Sequence, residues 1–162
     1  AQGRRADTMW DIVAAITALF TDATVMTYHM GTKAVVIGMV EVGNKLADEY
    51  DRTLAVAGQR IKSSGFTPDA EALLYVEQEA RTVGDVLLVH ICDGTPDNPE
   101  ATSEVAHQLY ESGLRYATIC VGYDAKDGIY PSEVVIKVDP PMGDKDWQKI
   151  EGLLSYVIQS NG

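Results

Sequence analysis

Apolar residues along this chain fall into two alternating rhythms, one with the period of a helix and one with the period of a strand. Met9, Ile12, Val13, Ile16, Leu19 and Phe20 recur at helical spacing and predict a first helix over about residues 7–20. The β-branched run Thr24 to Tyr28 predicts a strand, Met30-Gly31-Thr32-Lys33 a turn, and Ala34 to Val40 a second strand. So short a connection makes the pair an antiparallel hairpin. Leu46, Tyr50, Leu54, Ala57 and Ile61 then share one face of a second helix, closed by Gly65 and Phe66.

Thr67-Pro68-Asp69 has the chemistry of a helix start: a hydroxyl N-cap, proline at the first helical position and an acid in the first turn. Leu73, Val76 and Ala80 supply the apolar stripe of that third helix. Val86 to Cys92 is a nearly unbroken apolar run, as expected of a strand covered on both faces, and it stops at Asp93-Gly94-Thr95-Pro96-Asp97. Asn98-Pro99-Glu100 opens a fourth helix, which Gly113 ends. Tyr116 to Val121 is the next strand, Tyr123 to Gly128 a polar loop, and Glu133 to Val138 the last strand. Trp147, Ile150, Leu154 and Val157 mark a final amphipathic helix.

That order predicts a single α/β domain. Its sheet is doubly wound and mostly parallel, with one antiparallel hairpin strand and helices on both faces. Such sheets bind ligands at the carboxyl ends of their strands, here the loops beginning at Asp93 and at Gly122. The 162 residues suit one core and show no repeat or linker. The longest apolar runs are strand-sized, far short of the roughly 20 residues that span a bilayer.

A net charge of −11 argues against nucleic acid as a partner, because duplex affinity comes from Lys and Arg meeting phosphates. It argues equally against an acidic membrane surface. It suits a cation, a basic partner, or solubility alone. Cys92 and Cys120 lie inside apolar runs without a C-x-x-C or a Cys/His ligand spacing. They read as buried, reduced thiols, which points to a reducing compartment and a cytoplasmic location.

Several catalytic signatures fail. Gly38 and Gly43 have P-loop spacing, but Asn44-Lys45-Leu46 replaces the required Gly-Lys-Ser/Thr. No G-x-S-x-G is present, and Asp124 to Gly128 has the wrong intervals for a calcium loop and reads as a surface turn. Among the histidines, His90 is expected to be a core residue with a satisfied hydrogen bond. His107 falls within a helix, and His29 falls near the sheet edge that carries Asp93.

Two segments remain: Gly65-Phe66-Thr67-Pro68-Asp69-Ala70-Glu71-Ala72-Leu73 and Val89-His90-Ile91-Cys92-Asp93-Gly94-Thr95-Pro96-Asp97. One offers a hydroxyl at a helix start, the other a carboxylate at the end of a buried strand. Taken singly, each is a helix cap or a turn. Together they offer the oxygen donors that a hard cation such as magnesium takes, with few carboxylates and retained water.

A G-x-T, with Ala-Leu shortly after the threonine, followed by an apolar strand ending in Asp-Gly, resembles the von Willebrand factor A-type domain. The early hairpin matches the antiparallel strand of that fold. Asp69-Ala-Glu-Ala-Leu-Leu74 and Cys92-Asp-Gly-Thr-Pro-Asp97 look closest to the domains of cobalt and magnesium chelatase subunits. The resemblance runs from the first helix to the last. It implies that Thr67 and Asp93 are parts of a metal-ion-dependent adhesion site holding Mg2+ or another divalent cation. Asp97, Asp69 and His29 become candidates for orienting that ion's water or touching a partner.

The family's first, central strand ends in D-x-S-x-S, and this chain opens at Ala1-Gln2-Gly3-Arg4-Arg5 without it. Asp22-Ala23-Thr24 lies after the first helix and is no substitute. The expectation is either a split or cleaved domain, in which an upstream peptide or partner subunit supplies the missing central strand, or a trimmed fragment. The expected function is a protein-binding module, with a ring ATPase as the partner implied by the chelatase likeness. One rival is a structural or assembly protein with a vestigial metal site. The other is a magnesium-dependent α/β hydrolase using Asp93, with His29, Asp97 and Lys126 as candidate helpers.

Overall fold

The computed structural model describes residues 2–20, 23–30, 36–42, 69–122 and 125–160. They belong to two compact units, Ala1–Gly65 and Phe66–Gly162, each taken by itself below. The second helix expected between Leu46 and Ile61 lies outside the described residues, as do Lys45, Thr67, Asp22, Tyr123 and Asp124.

In the first unit, helix α1 spans Gln2–Leu19, beginning five residues before the start at residue 7 that the apolar stripe predicts. Arg4, Arg5 and Ala6 are good helix formers that an apolar pattern does not register. Ile12, Ala14, Ile16 and Thr17 are buried. The Thr17 hydroxyl tolerates burial because it donates to the Val13 carbonyl one turn back at 2.7 Å. Strands β1 (Val25–Met30) and β2 (Val36–Val42) pair antiparallel as the expected hairpin. Their ladder runs from Val25 opposite Val42 to Met30 opposite Val36, with a register shift between His29 and Met30.

The second unit contains helix α2 (Asp69–Val83), strand β3 (Leu87–Cys92), helix α3 (Pro99–Glu111) and strand β4 (Arg115–Val121). A 3-10 turn (Ser132–Val134), strand β5 (Val135–Val138) and helix α4 (Asp144–Ser160) follow. The three strands form a wholly parallel sheet in the order β3-β4-β5. The α3 boundaries follow the sequence signals. Asn98 caps the helix by accepting from the Ala101 amide at 3.1 Å, Pro99 takes the first turn, and Gly113 leaves it at φ +84°.

Strand β4 is the centre of this unit. Six consecutive residues, Tyr116 to Val121, are buried, so both faces of the strand are covered. On one face Tyr116 and Cys120 join Leu73 of α2, Leu88 and Cys92 of β3, and Val105, Ala106 and Leu109 of α3. On the alternate face lie Ala117, Ile119 and Val121, while α4, packed against β4 and β5, buries Ile150, Leu154 and Val157. The Thr118 hydroxyl, on the Tyr116 face, donates to the Tyr116 hydroxyl at 2.6 Å. The crossover from β4 to β5 carries a loop and the 3-10 turn in place of an α-helix. Lys137 pins that loop by donating to the Ala125 carbonyl at 2.8 Å and to Asp127 at 2.7 Å.

The α/β class, the parallel sheet and the antiparallel hairpin are as expected from the sequence. Among the described residues no helix is long and apolar enough to cross a membrane. Ile119 is fully buried and Val83 is 74% exposed. Urea unfolding should therefore show Ile119→Ala losing about 2–5 kcal/mol, and Val83→Ala changing stability by less than about 0.5 kcal/mol.

Candidate functional site

At the carboxyl end of β3 the chain leaves the sheet through Asp93 and Gly94. Asp93 is half-buried, and its Oδ1 accepts the Thr95 amide at 2.9 Å, closing a turn over the strand end. Gly94 holds φ +77°, and a Cβ there would run into the Ala125 side chain and crowd Cys120 Sγ. The glycine is thus required twice, by backbone conformation and by space. Asp97 lies exposed in the same loop.

Below that turn is a buried polar cluster. Residues two apart on a strand share a face, so Leu88, His90 and Cys92 all point to the side of the sheet packed by α2 and α3. Asp69, only 7% exposed, meets them from the first residue of α2. Its Oδ2 accepts from the Tyr130 hydroxyl at 3.0 Å and lies 3.8 Å from His90 Nε2. The Cys92 thiol donates toward the Tyr130 oxygen at 3.6 Å, and Cys120 Sγ lies 4.0 Å from Cys92 Sγ. The His90 and Tyr130 rings meet edge-on, with centroids 5.7 Å apart. One donor, N-, S- or O-bearing, on each of Asp69, His90 and Cys92 falls within 4.8 Å of the other two.

The electrostatics follow from this packing. Burial pushes the Asp69 carboxyl up, against the opposing pull of His90 and of the Tyr130 hydrogen bond. The hydrogen bond with Cys120, together with burial, holds the Cys92 thiol well above its usual range. Burial alone would push the His90 imidazole down. The hydrogen bond with Cys92 and the carboxylates of Asp69 and Asp93 outweigh it, and the imidazole rises to about 9.

The residues singled out from the sequence are distributed unevenly. Thr67 lies outside the described residues. Asp93 sits at the strand end, as expected. Asp69 is buried in the cluster, not on the surface. His29 belongs to the other unit, in β1 opposite Gly38. His107 bonds locally, its Nδ1 2.8 Å from the Ser103 carbonyl of its own helix. Two expectations need correcting. His90 is half-buried, and its Nδ1 lacks the hydrogen-bond partner expected of it. The absence of a Cys/His donor spacing is the other, since His90 and Cys92, two apart on β3, set two donor side chains on one strand face. Cys92 and Cys120 are free and buried, as expected.

No family model matches this chain, and no curated protein matches it. Solved structures do. The manganese-loaded TRAP protein of Plasmodium vivax superposes with TM-score 0.69 at 15% identity, covering 98% of this chain and 68% of that one. Proximal thread matrix protein 1 from the mussel byssus does so with TM-score 0.58 at 15% identity, covering 96% of this chain. The same protein with a zinc-occupied MIDAS motif gives equal values, and this chain spans 42% of its length. The fold is that of the von Willebrand factor A-type domain.

Two predictions follow from this geometry. Gly94→Ala combines about 1–2 kcal/mol of backbone strain with about 1–3 kcal/mol of overpacking. Gly84→Ala, where φ is +102° and nothing lies within 4 Å, carries the backbone part alone. Urea denaturation of the two variants should separate these contributions.

The second concerns pH. His90 holds its proton to about 9 when folded, against 6.5 when unfolded. Its stabilising contribution is therefore complete below pH 6.5 and is lost as pH rises towards 9. Urea midpoints of chelator-treated protein should fall across that interval, and His90→Gln should flatten the fall.

Proposed function

We propose that this chain is a non-catalytic protein-binding module with a metal-ion-dependent adhesion-type site. Asp93 and Thr67 hold a divalent cation, magnesium in the first instance, and an acidic group of the partner completes its coordination. The observation that carries the proposal is the placement of Asp93. It is a half-buried carboxylate at the carboxyl end of a parallel strand, aimed by a turn that Gly94 enforces.

The donor chemistry fits. A carboxylate can accept several bonds, so the Thr95 amide leaves Asp93 with oxygen capacity for an ion. Magnesium takes one or two carboxylates and keeps much of its water. Bound there, the ion would supply a positive centre for a partner's carboxylate. Two of the similar solved structures are of metal-bearing proteins, one manganese-loaded and one with zinc in its MIDAS motif.

Among the described residues β3 bonds a strand on one side only, to β4, and its other edge offers backbone groups that a partner chain or peptide would pair with. A ring ATPase is the partner class favoured by the chelatase-like motifs, and the free thiols of Cys92 and Cys120 suit a cytoplasmic setting.

Isothermal titration with MgCl2 and with MnCl2 tests the site. Asp93→Ala should weaken binding at least tenfold. Partner retention on the immobilised chain should fall with the same substitution and with chelation. Retention indifferent to both would leave an assembly protein with a vestigial site. Phosphoester turnover that Asp93→Ala abolishes would make the chain a hydrolase.

A further inference from the structure

We infer that Asp69, His90 and Cys92 form a second, buried metal centre, built for a zinc-class ion and distinct from the hard-cation site at Asp93. The donor atoms of the three side chains lie within 4.8 Å of one another. Ligand bonds of about 2.0–2.3 Å in a tetrahedral zinc site put neighbouring donors roughly 3.3–3.8 Å apart, so small side-chain rotations bring the three donors to one ion, with water as its fourth ligand. The His90 Nε2 to Asp69 Oδ2 distance, 3.8 Å, is already of that size.

Two observations favour an ion over a plain hydrogen-bond cluster. The donor set combines thiol, imidazole and a single carboxylate, which suits zinc or cobalt and not magnesium. The mounting is also rigid. His90 and Cys92 sit on one face of β3, locked in register with β4, and Asp69 opens α2.

Tyr130 completes the arrangement by donating to Asp69 Oδ2 at 3.0 Å, the kind of outer hydrogen bond that orients a ligating carboxylate. Binding forms a bond from Cys92 sulfur to the metal and releases the thiol proton to solvent, with no redox change. A loaded centre would clamp the start of α2 to the end of β3, directly beneath the turn that carries Asp93.

The test uses the full chain, stripped with chelator and titrated with Co2+ as a spectroscopic stand-in for zinc. Wild-type protein should develop a near-ultraviolet thiolate-to-cobalt band together with intense visible bands of tetrahedral cobalt. Zn2+ should displace both, and excess Mg2+ should displace neither. Zinc affinity should fall at least about 100-fold in Cys92→Ser and His90→Gln, and about tenfold or more in Tyr130→Phe. Cys120→Ser and Asp93→Ala should keep the bands.

The Asp93→Ala spectrum separates this centre from the adhesion-type site, because either can fail alone. Circular dichroism establishes which variants fold. Should Cys92→Ser not fold, the wild-type thiolate band and His90→Gln decide the matter. No thiolate band in folded wild-type protein, bands that survive Cys92→Ser, or bands lost only in Cys120→Ser would each overturn the inference.

Discussion

The double-sided burial of β4 governs much of the second unit. A strand buried at six successive positions has no face left for water, so helices must cover both sides. Tyr116 and Cys120 take the side of α2 and α3, while Ile119 and Val121 take the alternate side. Parallel pairing then sets β3 beside it in register, Cys92 opposite Cys120. Once that register is set, the next residue, Asp93, must leave the sheet at its carboxyl edge. The turn that carries it out is equally constrained, because Ala125 occupies the space a side chain at position 94 would need. The position of the exposed carboxylate is thus a consequence of packing well inside the unit.

The same register brings polar chemistry into the core. Burying an acid, an imidazole and a thiol together is unfavourable unless they satisfy one another. Here they do so in part. Tyr130 donates to Asp69, Cys92 donates towards Tyr130, and His90 lies beside the Asp69 carboxylate. Asp69 has a further source of support in its place on the first turn of α2, where the unpaired amides of a helix favour negative charge. His90 Nδ1 is the group this network leaves out. A partly satisfied buried network is costlier than an apolar core, so its retention next to the strand end needs a reason beyond packing.

Legibility in the sequence followed physical range. Elements set by local rhythm or capping were readable: the β-branched run and short turn that give the hairpin, the Asn98-Pro99 start and Gly113 stop of α3, and the apolar run of β3. Asp93 was readable because an abrupt polar stop after a buried strand marks a sheet edge. The buried cluster was harder to see because its members come from distant places. Asp69 and Tyr130 are 61 residues apart, and only folding brings them together. A local part of the signal did exist. His90 and Cys92 alternate on one strand, and two metal-binding side chains at that interval face the same way. The helix-free connection from β4 to β5 was readable as a polar loop between two strands, but the Lys137 contacts that hold this loop were not, since no periodicity encodes them.

The two candidate metal positions differ in donor hardness, and that difference separates their roles. Asp93 stands at a half-exposed edge with oxygen to offer, which suits an ion that keeps its water and shares it with a partner. Asp69, His90 and Cys92 stand largely buried with sulfur, nitrogen and one oxygen to offer, which suits an ion that sheds most of its water and stays. An ion of the first kind would exchange with the medium and report its composition. One of the second kind would act as a structural clamp, joining α2 to β3. The clamp lies directly under the turn at Gly94, so its occupancy would bear on how firmly the Asp93 carboxylate is presented. Coupling of that kind needs no conformational switch. It needs only that the strand end carrying the outer ligand is also the strand that carries the inner ones.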